Sequence, residues 1–298
     1  MVRACTDAGT GGTPMNRIFR LILLSMLIVT SFGCARNYYN VPKETYESKV
    51  KVLGVTPIFV DGASDIKHPE KEGVVAIAKD SARKNERKLV RMLKETGKYF
   101  SVRFIEEDAD KLYANLYDRS EKRDDAGIVY NKYFFKKDEI RRQIRDNNVD
   151  ALMVVVISGI TKRNKLYSSN HLSYLESDYN GLIMTAQVID ADGALLWEYP
   201  NFRQSFVSLP DFYFIQYPDF DEAAANETDK VDVKFKTLPG ITRALQRKEK
   251  DVLRRELRVS RLYSSIFSDM ISLLTPSSGI MGGEKNEKKE PKPAPEAK

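Results

Sequence analysis

Cysteine and histidine are scarce in this sequence of 298 residues, which contains two of each. They are Cys5, Cys34, His68 and His171. A structural zinc site is usually built from about four Cys or His ligands, so no metal site is expected. If the leader described below is removed, Cys5 is lost with it, and the one remaining cysteine cannot form an internal disulfide. The fold must then be held by its core alone.

Strong net charge and long apolar runs are also missing. Lys and Arg number 48 against 42 Asp and Glu, a formal charge of +6, and without residues 1–33 the balance is 45 against 41, or +4. This excess is too small to indicate a nucleic-acid partner. The apolar run at 21–29 is shorter than the roughly 20 residues that cross a bilayer, so no membrane-spanning anchor is expected.

Signatures of catalysis are absent too. Glycine-rich stretches occur only near the amino terminus and at 279–283, which leaves no phosphate-binding loop. His171 lies close to Ser168 and Ser169, but no nucleophile-elbow glycine pattern surrounds either serine. We therefore expect a polar loop there, and a protein that is not an enzyme and holds no cofactor apart from a covalent lipid.

Two acidic stretches have plain structural interpretations. Residues 106–110 carry four carboxylates directly after a predicted strand, a position typical of solvated loops rather than of acid–base pairs. Residues 190–193 share part of a calcium-loop pattern, but the later acidic ligands are missing. We predict a hairpin turn at 190–193.

The amino-terminal region has the three parts of an export signal. A basic segment begins at Met15, the apolar run at 21–29 follows, and a small residue, Gly33, precedes Cys34. This order is typical of a secretory leader. The polar residues 2–14 are out of place before such a leader, so we predict that translation starts at Met15.

The segment Ser31-Phe32-Gly33-Cys34 resembles the lipobox of bacterial lipoproteins, although Ser31 stands where an aliphatic residue is usual. The resemblance implies a diacylglyceryl group and further acylation on Cys34, and two or more acyl chains anchor a protein stably. Ala35 is not the Asp that marks inner-membrane retention, which implies the periplasmic face of the outer membrane. Ordinary cleavage that leaves a free thiol is the alternative.

The chain is expected to divide into four parts. These are a leader at 1–33, a lipidated tether at 34–48, an α/β domain at 49–275 and a disordered tail at 276–298. The tail is rich in Lys, Glu, Pro and Ala and cannot bury a core.

Hydrophobic patterns and turn residues predict strands at 49–60, 101–106 and 151–160, a hairpin formed by 182–189 and 194–207, and helices at 79–98, 137–146 and 239–274. The run at 151–160 is almost continuously apolar, which is typical of a strand covered on both faces. Alternating strands and helices followed by an antiparallel pair indicate a single layered α/β domain with a mixed sheet and a long C-terminal helix.

Four local patterns support a resemblance to known lipoproteins: the opening strand Val50–Val60, the helix-to-strand step Gly97–Val102, the segment Val149–Leu152, and Ile189–Gly193 with Trp197. In this order, behind a lipobox, they resemble the periplasmic α/β domains of the penicillin-binding-protein activator lipoprotein, the curli secretion lipoprotein and the N-terminal part of the Tol translocation protein. The resemblance implies a protein-binding or scaffolding role in the cell envelope. The segments 161–180 and 208–238 are additional to it.

Aromatic residues are concentrated at 211–220, and large rigid side chains dominate interface energetics. The candidates for contact with a partner are Phe212, Tyr213, Phe214, Tyr217 and Phe220. The alternative is a loop that folds back onto the domain as a small satellite core.

Basic residues recur at three- and four-residue steps on the predicted helices at 79–98 and 239–274. On the second helix the candidate contacts are Arg247, Arg254 and Arg258. Such faces suit anionic headgroups or an acidic partner, whereas the alternative is a solvated face of a core-packed helix.

The sequence thus favours a lipid-anchored outer-membrane protein that binds an envelope protein as an accessory or assembly factor. Two alternatives stay open: a structural subunit of a secretion or transport complex, and an envelope hydrolase. The partner and the oligomeric state are left open.

The two cysteines provide a matched test of lipidation. We expect wild type and Cys5→Ala to incorporate radiolabelled palmitate equally, and Cys34→Ala to incorporate none, because only Cys34 carries the acyl chains. Equal labelling of all three chains, or none of the wild type, would contradict the lipobox interpretation.

Overall fold

The computed structural model describes residues 39–125, 128–167, 174–200, 212–219, 232–250 and 258–274. The predicted leader, Cys34, Phe220, Arg254, His171 with Ser168 and Ser169, and the predicted tail lie outside these residues. The fold class is the expected one, an α/β domain with a mixed sheet flanked by helices.

The described helices are α1 Lys43–Lys49, α2 Lys71–Glu95, α3 Ala109–Leu116, α4 Lys137–Asp146, α5 Leu238–Gln246 and α6 Arg261–Leu274. The main sheet contains β1 Val52–Val60, β2 Ser101–Phe104, β3 Tyr117–Asp125, β4 Ile128–Phe135, β5 Ala151–Tyr167, β6 Tyr174–Asp190, β7 Leu195–Tyr199 and β8 Tyr213–Phe214. Two short ladders join β9 Gln216–Asp219 with β10 Asp232–Phe235, and β11 Lys248–Lys250 with β12 Arg258–Ser260.

Strand β5 is the centre of the sheet. It pairs in parallel with β1 over its first half, and it pairs antiparallel with β6 along its whole length. On the far side of β1 lies β2, also parallel, and β7 and β8 pair with the outer side of β6. On the edge of β5 that pairs with β1, but further along the strand, β4 pairs with Thr161 and Lys162.

The apolar run in β5 is divided between two hydrophobic layers. Met153, Val155 and Ile157 belong to the layer that contains α2, α5 and α6, and Leu152, Val154 and Val156 belong to the layer that contains α3 and α4. Successive strand residues point to opposite faces of a sheet, so a strand covered on both sides must be apolar at every position. The prediction of a doubly covered strand is confirmed.

Two predicted helices are present with informative boundaries. Helix α4 has the predicted bounds, and Asn148, with φ of 49°, follows it in the left-handed conformation. Helix α2 begins at Lys71 rather than Lys79, and Gly97, with φ of 65°, lies just after its end. The earlier start is explained by Val74 and Ala78, which are fully buried and extend the core-facing side of the helix.

The predicted tether at 34–48 is wrong for its second half. Tyr39 forms a bridge to Trp197 on β7, and α1 buries Tyr46 against the core. Residues 39–48 therefore belong to the folded domain.

The hairpin around 190–193 is confirmed, but its first strand, β6, is longer than predicted and its second, β7, is shorter. β7 ends at Tyr199, whereas β6 begins at Tyr174, so β5 and β6 form an extended pair that includes much of the additional segment 161–180. Helix α3 and the β3–β4 hairpin were not predicted; β3 consists mainly of charged residues and so carries no apolar strand pattern.

The unbroken helix predicted over 239–274 is wrong in its extent. The chain does end its described part in a helix, α6, but α5 stops at Gln246 and the β11–β12 ladder lies between the two. Ser260, almost fully buried, donates a hydrogen bond to the carbonyl of Leu245, which holds the chain in this turn. None of the helices in the described part of the chain is long and apolar enough to cross a membrane.

Gly159 offers a test of the packing of β5. A Cβ at this position would lie 2.3 Å from the backbone carbonyl of Asp65, so we expect Gly159→Ala to lower the free energy of unfolding by about 1–3 kcal/mol. Gly62→Ala is the matched control, since its Cβ would meet the Val75 side chain at 3.4 Å. Urea denaturation measures both, and equal stability of the two variants would refute this packing.

Candidate functional site

The aromatic segment begins with a residue that is buried. Phe212 is 1% exposed and its ring lies 4.9 Å from that of Tyr263 on α6. Ile215 is fully buried as well. The expectation that Phe212 contacts a partner is therefore corrected: Phe212 and Ile215 attach the segment to the core, as the satellite-core alternative required.

The residues between these two attachments are displayed at the surface. Tyr213 and Phe214 form β8 on the outer edge of β6, opposite Leu182 and Gly181, and both are partly exposed. The Phe214 ring lies edge-on to Tyr179 at 6.3 Å. Two buried residues thus hold two half-exposed aromatic rings in place.

Lys236 lies directly after β10 and connects it with β8. Its ammonium lies 4.3 Å from the centre of the Tyr213 ring and donates a 2.7 Å hydrogen bond to the carbonyl of Phe214. Burial lowers the pKa of Lys236 and raises that of Tyr213. This cation–π contact in a half-buried position favours a fixed orientation of the tyrosine.

Further aromatic side chains come from two other segments. Phe235 lies on β10 opposite Gln216, and its ring contacts His68 at 5.2 Å. Tyr217, opposite Lys234 on the same ladder, is 42% exposed. We call His68, Tyr213, Phe214, Tyr217 and Phe235 the aromatic cluster, because β8, the β9–β10 ladder and the loop that carry them are connected by the contacts above; all five are partly or largely exposed.

Asn180 connects the elements that carry the cluster. Its side chain is 1% exposed and donates to the carbonyls of Asp65 and Ile160 at 2.6 and 3.0 Å. The side-chain oxygen of Asn180 also accepts a 2.8 Å hydrogen bond from the backbone amide of Lys67. The backbone amide of Asn180 donates to the side-chain oxygen of Gln216. A buried polar network whose hydrogen bonds are all satisfied favours one arrangement of the loop at 64–67, β6 and β9.

The sequence identified part of this cluster. Tyr213, Phe214 and Tyr217 stay candidates, since all three are partly or largely exposed, but Tyr213 and Phe214 follow each other on β8 and so point to opposite faces of the sheet. Phe220 lies outside the described residues. His68 and Phe235 were missed, because they join the cluster only through pairing across sequence separations that no local pattern reveals.

The basic face of α2 is largely neutralised. Arg83 and Lys84 both contact Asp80, and Lys98 contacts Glu47. Arg87 pairs with Glu106 at 2.9 Å. Within the described residues these partners favour the solvated-face alternative for this helix.

The second basic stripe does not form one helical face, because the helix that would carry it is divided. Arg247 is exposed at the end of α5, and its carbonyl accepts a hydrogen bond from the amide of Arg261. Arg258 lies on β12 opposite Lys250, and Arg254 lies outside the described residues.

A charged cleft of about 460 Å³ lies between the end of β1 and helices α2 and α3. Three of the acidic residues at 106–110 have structural partners: Asp108 caps α3 by accepting from Lys111, Asp110 pairs with Lys79, and Glu106 pairs with Arg87. No group of three His, Cys, Asp or Glu within the described ranges is arranged to hold a metal ion.

The turn at 190–193 has the predicted structural role. The Asp190 carboxylate accepts hydrogen bonds from the amides of Asp192 and Ala194 at 3.0 and 2.9 Å. These bonds close the hairpin between β6 and β7.

Comparison with protein-family models, curated proteins and solved structures finds no match to this chain. The arguments about function therefore depend on the residues and the geometry above.

Two carboxylates on α2 are expected to respond oppositely to pH. Burial raises the pKa of Glu86, whereas the hydrogen bond from Lys84 lowers the pKa of Asp80. A raised pKa means that ionised Glu86 destabilises the folded state, so wild type loses stability on its account as pH rises from 4 to 7. Glu86→Gln removes this loss and should therefore gain stability relative to wild type over that range. Asp80→Asn should lose stability over the same range, because the favourable ionised form is then missing.

Urea denaturation at pH 4 and pH 7 measures both effects. Parallel pH profiles for the two variants would show that the two carboxylates do not have these opposite environments.

Proposed function

We propose that this chain is a lipoprotein anchored through Cys34 to the periplasmic face of the outer membrane, and that it binds another envelope protein as an accessory or assembly factor. The observation that carries the protein-binding part is the aromatic cluster. The address is supported by the export signal and the lipobox-like segment before Cys34.

The cluster has the composition of a binding surface. Aromatic side chains are enriched at the centres of protein interfaces and supply much of their energy. Tyr213, Phe214 and Tyr217 are partly desolvated already, so a partner can bury the remainder of each ring at a small additional loss of side-chain freedom.

The support beneath the cluster adds to this argument. Phe212 and Ile215 lie in the core, and Asn180 links β6, β9 and the loop at 64–67. A preorganised surface loses less entropy on binding than a mobile loop. A rigid scaffold with exposed rings suits a docking site better than a substrate channel.

The test is in-cell photo-crosslinking from position 217, using a benzophenone amino acid in place of Tyr217. Position 217 is preferred to 212 and 214 because its side chain is the most exposed of the three, so the substitution disturbs packing least. We expect one discrete protein adduct in the outer-membrane fraction, and its loss from that fraction in Cys34→Ala.

A pair of variants separates binding from folding. In pulldown without crosslinking, Tyr217→Ser should prevent recovery of the partner that the adduct identifies, whereas Phe100→Ser, which removes an aromatic ring that is 89% exposed, should not. An adduct with a second copy of the chain would support the structural-subunit alternative. No adduct from a correctly folded and anchored protein would reject the proposed binding surface.

A further inference from the structure

Phe100 is a large apolar side chain left in solvent, at 89% exposure. It lies in the connection between α2 and β2, where its amide donates a 2.8 Å hydrogen bond to the carbonyl of Lys51 just before β1. A single exposed Phe needs no special explanation on its own. Its place relative to Tyr39, which follows Cys34 by five residues, is what gives it meaning.

Phe100 is held firmly despite its exposure. The preceding residue, Tyr99, shares a 2.7 Å hydrogen bond with Tyr46 of α1 through their hydroxyl groups. The rings of Tyr46 and Tyr39 are 4.9 Å apart. Tyr39, Tyr46 and Tyr99 together line one cavity of about 250 Å³, so Phe100 is adjacent to a cavity that Tyr39 lines.

The anchor must lie close to the same place. Cys34 precedes Tyr39 by five residues, and five residues span at most about 18 Å even when fully extended. If Cys34 carries acyl chains, Tyr39 and the neighbouring cavity cannot move far from the lipid surface. This step rests on the lipid anchor of the proposed function.

The aromatic cluster lies at the opposite end of the sheet. Ala151, at the start of β5, pairs with Asp190, whereas Ile160, nine residues further along β5, pairs with Gly181 beside β8. Phe100 and Lys51 lie before the first residues of β2 and β1, and these strands run parallel to β5. The two exposed aromatic sites are therefore separated along the strand direction.

We propose that Phe100 inserts into the lipid surface beside the Cys34 anchor and so fixes the domain in an upright orientation, with the aromatic cluster directed away from the membrane. An exposed aromatic ring prefers the boundary between headgroups and acyl chains to water.

The contact is apolar rather than electrostatic. Lys98 pairs with Glu47, and Lys49 pairs with Asp190, so part of the nearby positive charge is offset by carboxylates. Insertion of Phe100 is expected to be equally strong in vesicles with and without an anionic lipid.

Tryptophan fluorescence tests the insertion. The chain has one tryptophan, Trp197, which is fully buried and supplies a constant background. The full lipoprotein, expressed with its leader and reconstituted into phosphatidylcholine vesicles with brominated acyl chains, is compared as wild type, Phe100→Trp and Tyr217→Trp. Bromine quenches tryptophan only at short range.

We expect Phe100→Trp to lose emission on the brominated vesicles, and Tyr217→Trp, the matched exposed position at the other end of the sheet, to keep it. The loss should be unchanged when phosphatidylglycerol is included. Quenching at neither position, or equal quenching at both, would overturn the proposal. Contact of position 100 with a second copy of the chain in place of lipid would overturn it as well.

Flotation of the same samples separates the possible failures. If wild type does not float with the vesicles, the lipid anchor fails and the inference about Phe100 fails with it. If wild type floats and Phe100→Trp is not quenched, the anchor stands and only the insertion is rejected. If quenching occurs but position 217 yields no adduct in cells, the insertion stands and the protein-binding surface is rejected.

Discussion

The pairing of β5 with β6 is the constraint on which the rest of the fold depends. The two strands remain in register from Ala151 with Asp190 to Tyr167 with Tyr174, and the inner half of β5 is buried on both faces. One face supports α2, α5 and α6, and the other supports α3 and α4. Because successive residues of β5 face the two layers in turn, a change in its register by one residue would exchange the two hydrophobic layers.

The sequence predicted the parts of the fold in which burial and local pattern agree. The apolar run in β5, the Asp/Gly turn after β6 and the amphipathic helix α4 each carry a signal within about ten residues. The outer halves of β5 and β6 carry no such signal, since their side chains are mainly polar. There, opposite charges such as Arg163 and Glu176, 3.4 Å apart, become complementary only when the register is known.

The C-terminal region shows how a helical pattern can mislead. Apolar residues recur at helical spacing from 239 to 274, yet the chain turns after α5 so that both α5 and α6 can pack on the same side of the sheet. Buried hydrogen bonds to the carbonyl of Leu245 from Ser260 and Ser81 stabilise that turn. Periodicity within a segment cannot reveal a break that is stabilised by contacts with distant residues.

In the candidate site, too, a local pattern does not reveal which side chains are buried by contacts with distant residues. Composition identified the aromatic segment at 211–220, but only the packing distinguishes Phe212, which stabilises the core, from Tyr217, which is exposed. Phe100 lies in the helix-to-strand step Gly97–Val102, and nothing in that pattern indicated that its ring is exposed. The fold separates these two exposed rings along the sheet and places Tyr39, which follows Cys34 by five residues, beside one of them. For a chain attached to a membrane at that end, Phe100 is placed to meet lipid, and the aromatic cluster is placed to remain accessible to a protein.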